Sequence, residues 1–320
     1  MTAYTPGAGL PSATPFGSPV PESFPLVAAE SDHIRGTNTP PTSSTEKDRI
    51  LQPNRPRRRV DRDELLRIKE VMPERDMAVL QLIDRHRYLT TKQVQSFAFT
   101  DHGSDESAAR IARFVLARLN RLALIKALPR RVGGVRGGSA ARIWQLAPAG
   151  ARLLRDDGQT FRTHEPSLRF LQHCLAMADV HLGIRALGAL QAVESVDVFT
   201  EPDCWHHFVG PAGERRLLQP DLAATLRTQE YIDRWFIEVD LGTESIPTVL
   251  KKCGQYESYR ATGVEQADHR AFPLVIWIFS RADRAEKVRT SILRSPRLAP
   301  ELYRVVSTDQ FAAKAEEWLQ

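Results

Sequence analysis

Along the first part of the chain, apolar side chains recur every three or four positions, the spacing of a helix with one buried face. Met77, Leu80 and Ile83 predict a helix over Glu74–His86, after a shorter helix at Asp61–Val71 that Pro73 stops. In the run Tyr88–Phe99, Thr90 or Thr91 is placed to cap a second helix burying Val94, Phe97 and Ala98. The chain breaks at His102–Asp105, and Ser104 or Asp105 opens a third helix reaching about Leu122. Leu124–Arg131 and Ala141–Gly150 then flank a glycine-rich loop and read as a β-hairpin. Pro148 opens a short closing helix to about Arg155.

The pattern changes after a linker at Thr160–Ser167. Leu168–Leu190 reads as one helix. Strands are predicted near Ser195–Thr200, Arg215–Leu218, Leu222–Arg227 and Arg234–Asp240, followed by a helix over Thr243–Arg260. Phe272–Ser280 is an almost unbroken apolar run, as expected of a strand buried on both faces. A helix near Asp283–Leu293, a strand near Tyr303–Ser307 and a terminal helix from Asp309 complete the pattern. Such an order predicts a mixed α/β sheet covered on both sides.

The third helix separates its side chains most clearly. At about 100° per residue, Ile111, Val115, Leu119 and Leu122 fall on one side, and Arg110, Arg113, Arg118 and Arg121 on the other. Phe114 is an exception, lying near the arginine face. The hairpin adds Arg130, Arg131, Arg136 and Arg142. Helix, helix, basic helix and basic hairpin is the order of a winged helix-turn-helix, in which the third helix enters the major groove and the wing meets phosphate.

Charge distribution strengthens that expectation. The whole chain carries only +5, but Ser107–Arg155 holds eleven Lys and Arg and no Asp or Glu. A stripe of this kind suits double-stranded DNA, whose condensed counterions are released by each phosphate contact. A generic solvated face, or a winged helix used for protein contacts alone, are the alternatives. Residues 1–60 hold ten of the 21 prolines and thirteen Ser and Thr, a composition that predicts a disordered tail. That tail ends in the basic run Arg55–Arg59, either a phosphate clamp or a linker. Three organisational segments result: the tail 1–60, a winged-helix segment 61–160 and an α/β segment 165–320. No apolar run reaches the length of a membrane span. Cys174, Cys204 and Cys253 give neither a disulfide framework nor a zinc spacing, which fits a reducing cytoplasm.

Candidate chemistry lies in the second half. Asp221 follows Pro220 at the start of one strand, while Glu238 and Asp240 share one face at the end of the next. Three acids gathered at strand ends repel one another unless a cation intervenes, and hard oxygen ligands suit Mg²⁺ or Mn²⁺. Such an ion activates water against a phosphodiester. Lys252, on the next helix, is placed to stabilise the phosphate, and Tyr256, one turn on, to touch it. The alternatives are a turn aspartate, an exposed strand edge and ordinary helix-surface residues. His173, His181 and the adjacent His206 and His207 have no ligand spacing and receive no role. The paired glycines in the hairpin lack the ending of a phosphate-binding loop.

These motifs carry a resemblance. Leu217–Leu226, Trp235–Ser245 and Leu250–Tyr259, behind an N-terminal winged helix, resemble the replication-relaxation family of plasmids and other mobile elements, over about residues 74–310. The most specific part is Glu238, Asp240, Gly242, Thr243, Glu244, Lys252 and Tyr256. The resemblance implies a role in plasmid replication or in relaxing supercoiled plasmid DNA, with replication or mobilisation proteins as partners. The C-terminal half also resembles the restriction-endonuclease-like PD-(D/E)xK fold. Pro220-Asp221 and Glu238 match its acids, and Asp240 stands where that fold places its lysine. Two expectations follow. Either Asp221, Glu238 and Asp240 hold Mg²⁺ or Mn²⁺ for nicking, with Lys252 as a migrated lysine, or the domain is an inactive relative and the protein a non-enzymatic DNA-binding regulator or replication accessory.

Overall fold

Side-chain caps decide where the first helices start. Asp61 accepts from the Glu64 amide at 2.7 Å and opens α1 (Arg62–Val71), which ends just before Pro73. α2 (Glu74–His86) follows Pro73 at once. Thr90, in the two-residue strand β1 (Leu89–Thr90), forms a reciprocal capping box with Gln93 and opens α3 (Thr91–Ala98). Ser104 caps the Ser107 amide at 3.2 Å and opens α4 (Asp105–Arg121). Thus of each pair of candidate caps the structure uses Thr90 and Ser104.

The computed structural model describes residues 60–128, 142–155 and 165–319, all within one compact unit. The expected tail up to Arg59 and the hairpin loop carrying Arg130, Arg131 and Arg136 lie outside the described residues. β2 (Ile125–Ala127) and β3 (Ile143–Leu146) pair antiparallel, as the hairpin pattern predicts. β1 joins the other side of β3, giving the order β1-β3-β2. α5 (Pro148–Leu154) packs Gly150 so tightly on the backbone just ahead of β2 that an added Cβ would lie 2.1 Å from the Leu124 carbonyl oxygen. Val79, Leu80, Ile83, Val94, Leu116 and Leu119 fill the core between these helices and the small sheet.

α6 (Leu168–Ala186) leads to a five-stranded mixed sheet. Its strands are β4 (Val193–Thr200), β7 (Leu222–Thr228), β8 (Ile232–Asp240), β9 (Leu274–Phe279) and β10 (Tyr303–Ser307), in the order β10-β9-β8-β7-β4. β4 pairs antiparallel with β7 and β7 with β8, whereas β8 pairs parallel with β9 and β9 with β10. A small hairpin, β5 (His206–Val209) with β6 (Arg215–Leu218), stands apart from the sheet.

Strand alternation divides the packing. Ile237, Val239, Ile276 and Ile278 face α6 and α10 (Phe311–Trp318). Phe236, Val275, Trp277 and Phe279 face α7 (Ile246–Arg260) and α9 (Ala282–Leu293). The sheet is therefore covered on both sides, and every residue from Val275 to Phe279 is buried, as the apolar run predicts. α7 begins three residues later than Thr243, because Asp240 first turns the chain and Ser245 supplies the cap. The short α8 (Val264–His269) has no counterpart in the sequence pattern.

α6 belongs to two cores. Ala178 packs with the N-terminal helices, whereas Cys174, Met177 and Ile184 pack on the sheet. Polar bonds tie the same helix to α3: Gln93 donates to the Leu175 carbonyl at 2.9 Å and to Asp179 at 2.7 Å.

Candidate functional site

α4 buries Ala108, Ala112, Val115, Leu116 and Leu119 and leaves the opposite face open. Arg110, Arg113 and Arg121 are exposed there, as the periodicity predicts, together with Phe114 and Ala117. Arg118 departs from the expectation. Its guanidinium donates through Nε and Nη2 to Asp76, at 2.7 and 2.5 Å. Asp76 is 1% exposed on α2, so Arg118 neutralises a buried carboxylate and joins α4 to α2. It is therefore a structural cation rather than a free phosphate ligand. Arg142, ahead of β3, is exposed, its guanidinium 5.5 Å from the Trp144 ring centroid.

The carboxylates lie where β7 begins and β8 ends. Phe236, Glu238 and Asp240 share the β8 face that meets α7. Lys252 and Tyr256, one turn apart on α7, both reach Glu238: Lys252 Nζ donates to Oε2 and Tyr256 Oη to Oε1, each at 2.5 Å. Glu238 is 1% exposed. Burial pushes its carboxyl up to about 8, against the pull of the Lys252 charge and the two hydrogen bonds. Burial works to lower Lys252, but the Glu238 and Asp221 charges outweigh it and hold the ammonium above its ordinary range. Tyr256 is fully buried, and burial with the adjacent Glu238 raises its phenol well above 10. This corrects the expectation of a DNA contact from Tyr256: a buried hydroxyl committed to Glu238 does not reach a phosphate.

Asp221 turns to the other side of the strand end. Its Oδ2 accepts from the Val239 amide at 2.7 Å, and its Oδ1 lies 3.4 Å from Nε2 of His173 on α6. That contact is the chief cause that raises the His173 pKa, against burial. Asp240 is likewise engaged. Oδ1 accepts from the Gly242 and Thr243 amides at 2.8 and 2.9 Å, and Oδ2 from Arg284 Nε and Nη2 at 3.1 and 2.5 Å. Gly242 sits at φ +87°, a conformation that costs side chains with a Cβ. Arg284 also donates to the Glu244 carbonyl. The Asp-x-Gly-Thr-Glu run thus builds a turn locked by an arginine from α9.

The structure brings Glu238, Lys252 and Tyr256 together, sets Asp221 beside them with His173, and directs Asp240 to Arg284. Sequence reasoning missed His173 and Arg284. Arg284 had one signal, a cation in the first turn of the helix that follows the apolar strand. The arrangement does not fit Mg²⁺ or Mn²⁺ held by three carboxylates. Both oxygens of Glu238 and of Asp240 already accept from a cation, a hydroxyl or an amide. Among the described residues no group of three or more His, Cys, Asp or Glu is arranged to hold a metal ion. Nor is any described helix long and apolar enough to cross a membrane. All three cysteines are free and buried.

Compared with known protein families, residues 80–275 match the family described as replication-relaxation, over more than half of the chain. Comparisons with curated proteins and with solved structures return no match.

Proposed function

The chain belongs to the replication-relaxation family, and on that premise we propose that it binds double-stranded DNA through the exposed face of α4 and serves mobile-element replication as a non-enzymatic accessory. The observation that carries this reading is that face: Arg110, Arg113 and Arg121 open to solvent on one side of a helix whose other side is core. The three helices and the β1-β3-β2 sheet support a winged helix-turn-helix, with α4 as the groove-reading helix and Arg142 at the base of the wing. Arg130, Arg131 and Arg136 add further basic residues in the sequence between β2 and β3. The five-stranded sheet with Asp221 and Glu238 on adjacent strands supports descent from a PD-(D/E)xK nuclease, in which the saturated carboxylates serve the fold and a partner-binding role.

The test is binding of duplex DNA by retardation across a salt series, with Arg113→Ala alongside. We expect tight binding that weakens steeply with salt, a uniform loss in the variant and a salt slope shallower by about one. Binding that ignores salt would overturn the reading.

One observation favours a second reading, metal-dependent nicking. Lys252 reaches Glu238 from the following helix, where a migrated lysine of a nuclease would stand. Supercoiled plasmid incubated with Mg²⁺ or Mn²⁺, and with EDTA, separates the two. Open circles that depend on metal and vanish in Glu238→Ala support nicking. Retarded but uncut plasmid in every lane supports the accessory role.

A further inference from the structure

The basic face of α4 carries one apolar side chain out of place. Phe114 is 61% exposed, yet it lies among Arg110, Arg113 and Arg121 rather than on the core side. No requirement of the core explains it, because Val115, Leu116 and Leu119 already fill that side. Neither is the ring loose on the surface. Arg118 stands 5.6 Å from its centroid, and Arg118 is itself fixed by two hydrogen bonds to the buried Asp76. One side of the ring is thus met by an anchored guanidinium while most of the side chain stays open to solvent. Arg110, Arg113, Phe114, Ala117 and Arg121 form a single stripe along roughly 16 Å of helix. The stripe combines positive charge, one rigid apolar projection and one small residue.

We infer that Phe114 is a base-reading residue that packs against the C5-methyl of thymine in the major groove. This rests on the proposed DNA binding by α4 and deepens it. Charge complementarity selects the occupant: three exposed arginines around the ring favour a polyanion over an apolar protein surface. Within a major groove the thymine methyl is the one apolar group on a base edge, and side chains such as Ala and Phe are suited to it. The arginines position the helix on phosphates or guanines, while Phe114 distinguishes steps that carry a methyl group from steps that do not.

The test compares double-stranded poly(dA-dT) with double-stranded poly(dA-dU) of equal length, which differ by the thymine methyl. Affinity is measured by fluorescence anisotropy at fixed salt for the full chain, Phe114→Ala and Arg113→Ala. The intact protein should prefer poly(dA-dT) by roughly fourfold for each methyl covered. Phe114→Ala should lose that preference with little change on poly(dA-dU), and Arg113→Ala should weaken both duplexes alike. Equal binding of the two duplexes by the intact protein would overturn the inference and leave DNA binding standing. So would an equal loss on both duplexes in Phe114→Ala. Failure of the intact protein to bind either duplex would overturn the inference together with the reading beneath it. If Phe114 instead joined two copies of the chain, Phe114→Ala would lower the oligomeric state in sedimentation and leave the duplex preference intact, again overturning it.

Discussion

At Glu238 the cost of burial falls on one carboxyl group, pushed up to about 8 even with an ammonium and a phenol donating to it. Removing the ammonium raises it further, so Lys252→Met should fold with Glu238 protonated. The sign of the pH dependence follows. A carboxyl raised in the folded state is most favourable below its ordinary range and loses stability as pH rises towards the folded value. Lys252→Met should therefore cost the same at pH 5 and pH 7, where Glu238 is protonated in both proteins, and progressively more above about pH 8, where the parent ionises and the variant does not, by up to about 1.4 kcal/mol per pH unit. Urea unfolding at three pH values, one of them above about 8, measures this, and a loss independent of pH would remove Glu238 as its cause. Sequence spacing marks Glu238, Lys252 and Tyr256 as a set, but it aims them at a metal and a phosphate rather than at one another. Asp240 was less legible still. Its partner Arg284 lies far along the chain on another helix, and no local spacing joins them. Three acids that look like one constellation are divided among a lysine, a histidine and an arginine.

At the scale of elements, α4 assigns different work to neighbouring arginines. Arg118→Ala leaves Asp76 buried without its cation and should cost roughly 2–3 kcal/mol of stability. Arg113→Ala removes an exposed cation and should leave the unfolding midpoint within about 0.5 kcal/mol of the parent while weakening DNA. Paired denaturation and binding curves test the division. Equal stability of the two variants would mean that the Arg118–Asp76 bond contributes nothing. Periodicity found α4 and its arginines, yet could not distinguish Arg118 from Arg113, because Asp76 reaches it from α2. Caps made the starts of α1, α3 and α4 legible to within a residue. By contrast β1 is two residues long and has no pattern to show, and α8 buries only Glu265. Both owe their form to tertiary context.

For the whole molecule, the junction between the N-terminal helices and α6 is built on aromatic rings. His86, Phe97 and His181 stand in a triangle with centroids 5.0 Å apart. Burial lowers His86 to about 4 and His181 to about 2, with Arg85 lowering both and His86 and Arg185 adding to His181. Both are neutral in the folded protein at pH 7. Below pH 6.5 the unfolded chain takes up protons that the folded chain refuses, so stability falls, by roughly 2 kcal/mol per ring by pH 5. His173 opposes this trend, since its raised pKa adds stability as the pH falls. His181→Phe keeps the packing, removes one titration and should flatten the loss between pH 7 and 5 in thermal unfolding. An unchanged slope would exclude the triangle as its origin. Sequence alone could not find this junction, because a histidine on a helix shows no sign of the ring it will meet.

The double membership of α6 has a mechanical consequence. Ala178 is rooted in one core, and Cys174 and Ile184 in the other. The peptide link between α5 and α6 is therefore not what keeps the two regions together. A single proteolytic nick between residues 155 and 165 would sever the chain without dividing the particle. The nicked protein should elute as one species in gel filtration and part into two bands only when denatured.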